Sequence, residues 1–254
     1  AMKVTIKDVA KEANVATSTV SRVLSNSPKI SEKTKENVHE AIKKLNYKPN
    51  AIARSLVNNK TKILGVVLPN EADDSFKNPF FVEAMRGMSM SAEENGYYIM
   101  YAFSKNDEDE LKTIKEFSSN NLLEGLCLLS VREEDKTIKY LKDINFPFVV
   151  IGRPDEEDVL WVDNDNFQAM FKLVDKFIKD GQSDIAFIGG KKSWNVSKDR
   201  LSGFKDAFKA NNLNYDKTMV IEGIDFSEEC GYLAMREIIS KKNPKIVVTT
   251  DDLL

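Results

Sequence analysis

The chain has 254 residues, 42% hydrophobic and 30% charged, an ordinary globular composition, and its apolar runs fall short of the ~20 residues that span a membrane. One histidine and two distant cysteines argue against a Cys/His zinc site and a His-based catalytic triad, so we expect no metal, no cofactor and no catalytic residues. The net charge of −3 is uneven, because residues 1–60 carry 12 Lys and Arg against 5 Asp and Glu (+7) and the remainder carries −10.

This charge asymmetry bears on the kind of partner. A basic segment attached to an acidic body is typical of a nucleic-acid-binding module on a carrier that repels DNA. The N-terminal residues lack the apolar core of a signal peptide, so we expect a cytoplasmic protein without a membrane partner. In that reducing compartment Cys127 and Cys230 are expected to be buried free thiols.

Residues 5–25 have the pattern of a helix-turn-helix. Thr5 and Asp8 resemble a capping box at the start of the first helix. Asn14 suits the turn, because asparagine tolerates the left-handed backbone conformation. The sequence therefore predicts a first helix that ends at this turn and a second helix directly behind it.

The second helix is predicted to be amphipathic. Val20, Val23 and Leu24 recur at helical spacing and predict a buried stripe. Its opposite face combines short hydroxyls with one long cation, as a helix that enters the DNA major groove requires, although an ordinary solvated face would look alike. The members of this face are Thr17, Ser18, Ser21, Arg22 and Ser25.

A third helix is expected to begin after Ser31 as its N-cap. Val38, Ile42 and Leu45 recur on one face of it and should close a three-helix core. Pro49 ends the helix, because proline disfavours the helical conformation of the residue before it. The following octet is helix-prone but too short to be stable alone, which is typical of segments that fold on binding.

From Ile63 onwards, predicted strands and helices alternate. Alternating βα units predict parallel sheets with right-handed crossovers. A polar break at residues 163–166 predicts two subdomains with a cleft between them. The predicted strands are 63–69, 97–103, 125–129, 148–151, 160–162, 184–189, 219–222 and 245–250, and the predicted helices are 80–95, 107–119, 133–144, 166–179, 197–210 and 227–240.

Ligands of open α/β sheets bind beyond the carboxyl ends of the strands. The loops at these ends contain aromatic rings and side chains of both charges. Sugars bind to such combinations of side chains, because aromatic faces stack on pyranose C–H surfaces while Asp and Arg form hydrogen bonds to paired hydroxyls. Plain packing of the rings and a structural salt bridge are the alternatives. The candidates are Phe80, Phe81, Arg153, Trp194, Arg200 and Asp251.

Short segments that match one known protein family follow one another through the helix-turn-helix and beyond it. They comprise VTIKDVA at 4–10, Val15, TVSRVL at 19–24, LNYKPN at 45–50 and ARSL at 53–56. In these positions the chain resembles the lactose-repressor/galactose-repressor family of bacterial transcription factors. The resemblance implies that Thr17, Ser18 and Arg22 read bases in the major groove. It implies phosphate contacts from Thr5, Thr19, Ser21, Thr34 and Tyr47.

The resemblance also implies a hinge helix that lies in the minor groove. Asn50 would begin this helix, Ala53 would lie against the bases and Leu56 would be wedged into a base step. An apolar wedge costs unstacking energy but bends the DNA towards more protein surface. A core position in a short helix is the alternative role for this leucine.

Segments of the body resemble the effector domain of the same family. DRLSGF at 199–204 matches a motif whose arginine binds effector, which implicates Arg200, and TTDD at 249–252 implicates Asp251. Together with VIGRP at 150–154, these segments look like those of maltose-operon repressors. The resemblance therefore implies a small sugar effector, with maltose or an α-glucoside as the class.

The resemblance implies an all-α helix-turn-helix domain followed by an α/β periplasmic-binding-protein-like effector domain with two parallel-sheet subdomains. It implies a homodimer that binds pseudo-palindromic double-stranded operator DNA. Family members continue beyond residue 252, so we expect the second subdomain to be incomplete in this chain and marginally stable. The expected boundaries are 1–49 for the DNA-binding domain, 50–60 for the hinge, 61–162 for the first subdomain and 163–254 for the second.

Three other functions fit parts of this sequence. A corepressor-dependent regulator of the same family would bind DNA more tightly with its ligand. A sugar-binding protein without a DNA role would need the body but not the basic first segment. A sugar-processing enzyme could use Asp163 and Asp165 as an acid–base pair, although carboxylates two residues apart in a loop rarely converge on one bond.

Overall fold

The structure, a computed structural model, describes residues 4–48, 60–69, 78–104, 106–223 and 225–254. The chain divides into two compact units, the head (Ala1–Thr61) and the body (Lys62–Leu254). Within the described ranges, none of the helices combines the length and the apolar content that a membrane crossing requires.

Residues 4–48 of the head form three helices around a small apolar core. Val20 and Val23 of the second helix are buried, as their spacing predicts, and Val38 of the third helix is fully buried opposite them. Ile42 and Leu45 pack at the edge of this core and are only partly buried. The helices are α1 (Ile6–Glu12), α2 (Thr17–Leu24) and α3 (Glu32–Lys44).

Local hydrogen bonds begin and end the helices of the head. The Thr5 amide and hydroxyl both donate to Asp8 Oδ2, at 2.8 and 2.7 Å, and α1 begins directly after this threonine. Ser31 Oγ accepts from the Thr34 amide at 3.3 Å, which confirms the predicted N-cap of α3. Asn14 has a positive φ of 49°, so the predicted left-handed turn is confirmed as well.

The first lobe of the body is a parallel sheet with three helices. Its described strands pair in the order β2-β1-β3-β4-β5, and the register of every pair is parallel. Buried aliphatic side chains from the strands and helices form its core. The elements are β1 (Ile63–Leu68), α4 (Pro79–Glu94), β2 (Tyr98–Phe103), α5 (Asp107–Ser119), β3 (Gly125–Leu128), α6 (Lys136–Asp143), β4 (Phe148–Ile151) and β5 (Trp161–Val162).

The second lobe repeats this plan with strands in the order β7-β6-β8, again parallel. Phe187, Phe204 and Phe208 are fully buried at its centre. The elements are α7 (Asn166–Lys179), β6 (Ile185–Gly189), α8 (Asn195–Ala210), a 3₁₀ turn (Lys217–Met219), β7 (Val220–Glu222), α9 (Glu228–Lys241) and β8 (Ile246–Thr249).

Most element boundaries lie within two residues of those that the sequence predicts. The helix predicted from residue 133 begins instead at Lys136, because Asp135 is its N-cap. Asp135 Oδ1 accepts from the amides of Thr137 and Ile138 at 2.9 and 3.3 Å. Glu134, which precedes this cap, has a φ of 51° and cannot belong to the helix.

Both cysteines are free and partly buried. Cys127 lies in β3, between β1 and β4, where its register partners are Val66 and Val149. Burial raises the pKa of the Cys127 thiol to about 11, because the low-dielectric interior disfavours the thiolate. Cys230 lies in the first turn of α9.

Candidate functional site

The exposed face of α2 is the first candidate site. Thr17, Ser18 and Arg22 are exposed to solvent on it, while Thr19 and Ser21 are half-buried at its margins. Ala16, the N-cap, has no side chain that could bond to the first-turn amides. Unbonded amides at a helix N-terminus favour anions, so this end of α2 suits a phosphate.

The other predicted DNA contacts of the head occupy three places. Thr5 is exposed before α1, and its hydroxyl donates to Asp8. Thr34 lies in the first turn of α3, where its hydroxyl is 2.9 Å from that of Ser31. Tyr47 is half-buried against the head core. Asn50, Ala53 and Leu56 lie outside the described residues.

The second candidate site is a cavity of about 440 Å³ in the body. It lies beyond the carboxyl ends of strands from both lobes, where the topology rule places ligands. The guanidinium of Arg153 lies elsewhere, exposed and bonded through Nη2 to Asp199 Oδ1 at 2.8 Å. The other predicted effector residues, Phe80, Phe81, Trp194, Arg200 and Asp251, all line the cavity.

Arg200 is at the centre of the polar wall. Its Nε and Nη2 donate to Asn166 Oδ1 at 3.0 and 2.8 Å, and Nη1 donates to the Thr250 carbonyl. Asn166 Nδ2 donates in turn to both oxygens of Asp163, at 2.9 and 3.0 Å. The polar segment that the sequence marks as a break between subdomains therefore contributes directly to the cavity wall.

Asn166 is a cavity residue that the sequence reasoning missed. The available signal was the polar run at 163–166 followed at once by a helix, because the first turn of such a helix faces the loops at the strand ends.

Asp163 and Asp165, the alternative acid–base pair of an enzyme, both accept hydrogen bonds from nearby residues. Asp163 accepts from Asn166, and Asp165 is the N-cap of α7, with Oδ1 accepting from the Gln168 amide at 2.9 Å.

The cavity has more carboxylates than cations. Burial lowers the pKa of Arg200, although the charges of Asp251, Asp163 and Asp252 oppose this shift. Asp251 accepts from Asn78 Nδ2 at 3.1 Å and from the Leu253 amide at 2.8 Å, so both of its oxygens are in use. Three carboxylates around one guanidinium make the wall unfavourable for an anionic ligand and suitable for neutral hydroxyls.

Aromatic rings provide the apolar part of the wall. Trp194 and Phe226 both line the cavity, with ring centroids 5.3 Å apart and ring planes inclined by 46°. Phe80 and Phe81 meet edge to face at 5.4 Å. The sequence reasoning missed Phe226, which follows β7 and reaches the cavity only through the folding of the second lobe.

Family models match both units of the chain. Residues 5–50 match the model for bacterial regulatory proteins of the lacI family. Residues 61–254 match the model for periplasmic binding proteins and the sugar binding domain of the LacI family. The chain belongs to the lacI family. This lacI-family regulator thus has the predicted fold class, a helix-turn-helix domain joined to a periplasmic-binding-protein-like domain.

Individual relatives agree with this membership. The HTH-type transcriptional regulator MalR of Streptococcus pneumoniae is 43% identical over 255 residues, which cover 100% of this chain and 77% of the relative. A solved complex of the regulator CelR with cellobiose is 29% identical, with a TM-score of 0.69 over 97% of this chain and 74% of CelR. A Staphylococcus protein described as a probable maltose operon transcriptional repressor is 27% identical, with a TM-score of 0.66 over 75% and 69% of the two chains.

These relatives are all described as transcriptional regulators or repressors. The predicted function as a DNA-binding transcriptional regulator is therefore confirmed at the level of the family. The residues that contact DNA and effector remain predictions. The described DNA-contact candidates lie in or beside α1, α2 and α3, and the effector candidates other than Arg153 line the cavity.

Proposed function

We propose that this lacI-family regulator is a homodimeric, cytoplasmic repressor of a sugar operon. Each copy reads one half of a pseudo-palindromic operator with α2, and a sugar in the body cavity releases the DNA. The observation that carries the proposal is the pairing, in one chain, of an exposed hydroxyl-and-arginine helix face with a polar and aromatic cavity.

A neutral disaccharide is the proposed effector class. A cavity of about 440 Å³ is in the range of small-molecule sites. Its aromatic walls suit pyranose rings, and its amide, carboxylate and guanidinium groups suit hydroxyls. One relative is solved with cellobiose and another is described as a maltose operon repressor, so maltose and α-glucosides are the first candidates.

The proposed coupling uses the segment between head and body. Sugar binding would shift the two lobes, and the paired hinge segments would then leave the minor groove. Ala53 and Leu56 are the proposed hinge contacts on the DNA. A fall in operator affinity with sugar supports induction, whereas a rise identifies the corepressor mode of the same family.

The base-reading role of Arg22 is tested by Arg22→Ala. We expect a loss of about 2 kcal/mol per half-site on the operator, since one arginine can bond twice to a guanine. The loss on random duplex should be much smaller, and preference should relax at one base position. Fluorescence anisotropy with a panel of single-base operator variants measures both effects.

Lys29→Ala is the matched control, because this exposed lysine belongs to the turn behind α2. Its removal should weaken binding to operator DNA and to random DNA by the same factor, as expected for a cation that acts only through the phosphate charge. Equal losses on both duplexes for Arg22→Ala would show that this arginine is a phosphate contact and does not read a base.

The charge of the cavity predicts discrimination between sugars. Maltose should release operator DNA at concentrations at least about tenfold lower than maltose 6′-phosphate, because three carboxylates face one guanidinium. Titration of both sugars into the preformed protein–operator complex measures this ratio. Preferential release by the phosphorylated sugar would contradict the neutral-effector assignment.

A further inference from the structure

Arg132 is a buried cation that does not line the cavity. It follows β3 in the first lobe, and its side chain is 9% exposed. Nη1 and Nη2 donate to the two oxygens of Glu110 at 3.2 and 2.6 Å. The carboxylates of Asp107 and Asp135 lie 3.3 and 3.8 Å from the guanidinium. The first lobe therefore fixes this side chain through three carboxylates.

The guanidinium stays charged in this setting. Desolvation alone would lower the pKa of Arg132, but the hydrogen bond and charge of Glu110, with the charges of Asp107 and Asp135, outweigh it and raise the pKa. Because the N–H groups of a guanidinium donate in its plane, the bonds to Glu110 leave its flat faces available for a neighbour.

That neighbour is Trp194 of the second lobe. Arg132 Cζ lies 5.9 Å from the indole centroid, within the range of a cation–π contact. The two residues also form an isolated antiparallel bridge. On either side of it, the Glu133 amide donates to the Ser193 carbonyl and the Asn195 amide to the Val131 carbonyl, each at 3.1 Å.

The segment that carries this indole is anchored to the first lobe by Asn195, whose Nδ2 donates to the Arg153 carbonyl at 3.0 Å, but other polar atoms around it are unpaired. Among the residues that the structure describes, the buried side-chain atoms without a hydrogen-bond partner are Arg132 Nε, Trp194 Nε1, Asn195 Oδ1 and Ser197 Oγ. All four lie at this junction. A buried indole N–H normally has a partner, so the position of the ring depends on packing and on the backbone bridge.

We infer that Arg132 is a positioning residue for the effector cavity, which holds the Trp194 wall in place from the first lobe. The inference rests on the proposed role of the cavity in sugar binding. Because the guanidinium is fixed in one lobe and the indole belongs to the other, a sugar that packs against the indole also depends on the contact between the lobes.

The test uses Arg132→Met together with Glu110→Gln in a Trp161→Phe background. The paired change removes the buried carboxylate that bonds to the guanidinium, which would otherwise destabilise the fold by itself, and Asp135 keeps the backbone amides that donate to it. With Trp161 removed, all indole fluorescence comes from Trp194. We expect acrylamide quenching of Trp194 to rise about twofold and maltose affinity to fall about tenfold, while sugar-free operator affinity stays unchanged.

Arg132→Lys in the same background is the second variant. It keeps the charge but loses the planar fork that bonds to Glu110 and faces the indole. Relative to the Arg132→Met and Glu110→Gln pair, we expect acrylamide quenching of Trp194 to be weaker and maltose affinity to be partly restored. A purely structural role predicts a lower melting temperature with wild-type quenching and sugar affinity in the folded protein, and that result would overturn the inference.

The matched control is Lys198→Met with Glu133→Gln. This pair joins the same two segments at 2.7 Å, but its side chains are 37% and 62% exposed, far more than that of Arg132, so both readouts should stay at the wild-type value. Quenching that rises equally in the control would overturn the assignment to Arg132. If no sugar affects operator binding by the wild type, the proposed function fails, and the sugar-free quenching measurement still decides whether Arg132 positions the indole.

Discussion

Arg200→Ala is expected to remove the response to sugar while operator binding without sugar is kept. The guanidinium links Asn166 to the Thr250 carbonyl, so truncation leaves both acceptors unpaired and three carboxylates without their cation. Truncation of one partner in a buried, hydrogen-bonded charged set costs about 2–5 kcal/mol. We therefore expect sugar affinity to fall about a hundredfold or more, as measured by calorimetry with maltose.

Lys209→Ala is the control for this variant, because it removes an exposed cation from the same helix, α8. Its sugar affinity should equal that of the wild type. Arg200→Lys should recover little, since a lysine cannot bond to the amide and the carbonyl with the geometry of the fork. If sugar released the Arg200→Ala variant from the operator as well as it releases the wild type, this arginine would not belong to the effector site.

Gly203→Val is expected to destabilise the body by about 3 kcal/mol, as overpacking of a backbone contact does. Helices α7 and α8 cross closely at this glycine. A Cβ atom here would clash with the Phe167 carbonyl oxygen and lie 3.0 Å from the Phe171 amide nitrogen. Backbone atoms cannot move aside as a flexible side chain can, so the helices must separate.

Gly87→Ala is the matched control, since Gly87 also lies within a helix, α4, but a Cβ atom there has no neighbour within 4 Å. We expect it to stabilise the protein by up to about 1 kcal/mol, because alanine favours the helix more than glycine does. Urea unfolding followed by circular dichroism measures both variants. A loss of stability below 1 kcal/mol for Gly203→Val would show that the two helices can separate at little cost.

The sequence predicts the helices and strands well because their signals are local. Apolar spacing locates α2 and the strands of both sheets, and asparagine or serine at the helix ends defines the boundaries of the head. The start of α6 is the exception. Glu133 and Glu134 favour a helix by propensity, but the backbone bonds to Asp135 begin the helix three residues later.

The sequence predicts a residue of the effector cavity only where a side chain suited to binding a sugar follows the carboxyl end of a predicted strand. The strand-end rule finds Arg200, Asp251 and Trp194, which the structure brings to one cavity. Asn166 and Phe226 depend on how α7 and the segment after β7 meet that cavity, and no local pattern carries this information. The guanidinium of Arg153 follows its predicted strand but turns to Asp199 at the surface.

The two cysteines lie in different elements of the body, which matters for labelling with a dye. Burial raises the pKa of the Cys127 thiol to about 11, so the thiol form predominates at neutral pH, whereas the thiolate is the form that reacts. Burial therefore slows the reaction of Cys127 with a maleimide dye. Cys230 lies in the first turn of α9 on the second lobe, where a dye would be suited to following the movement of this lobe relative to labelled DNA.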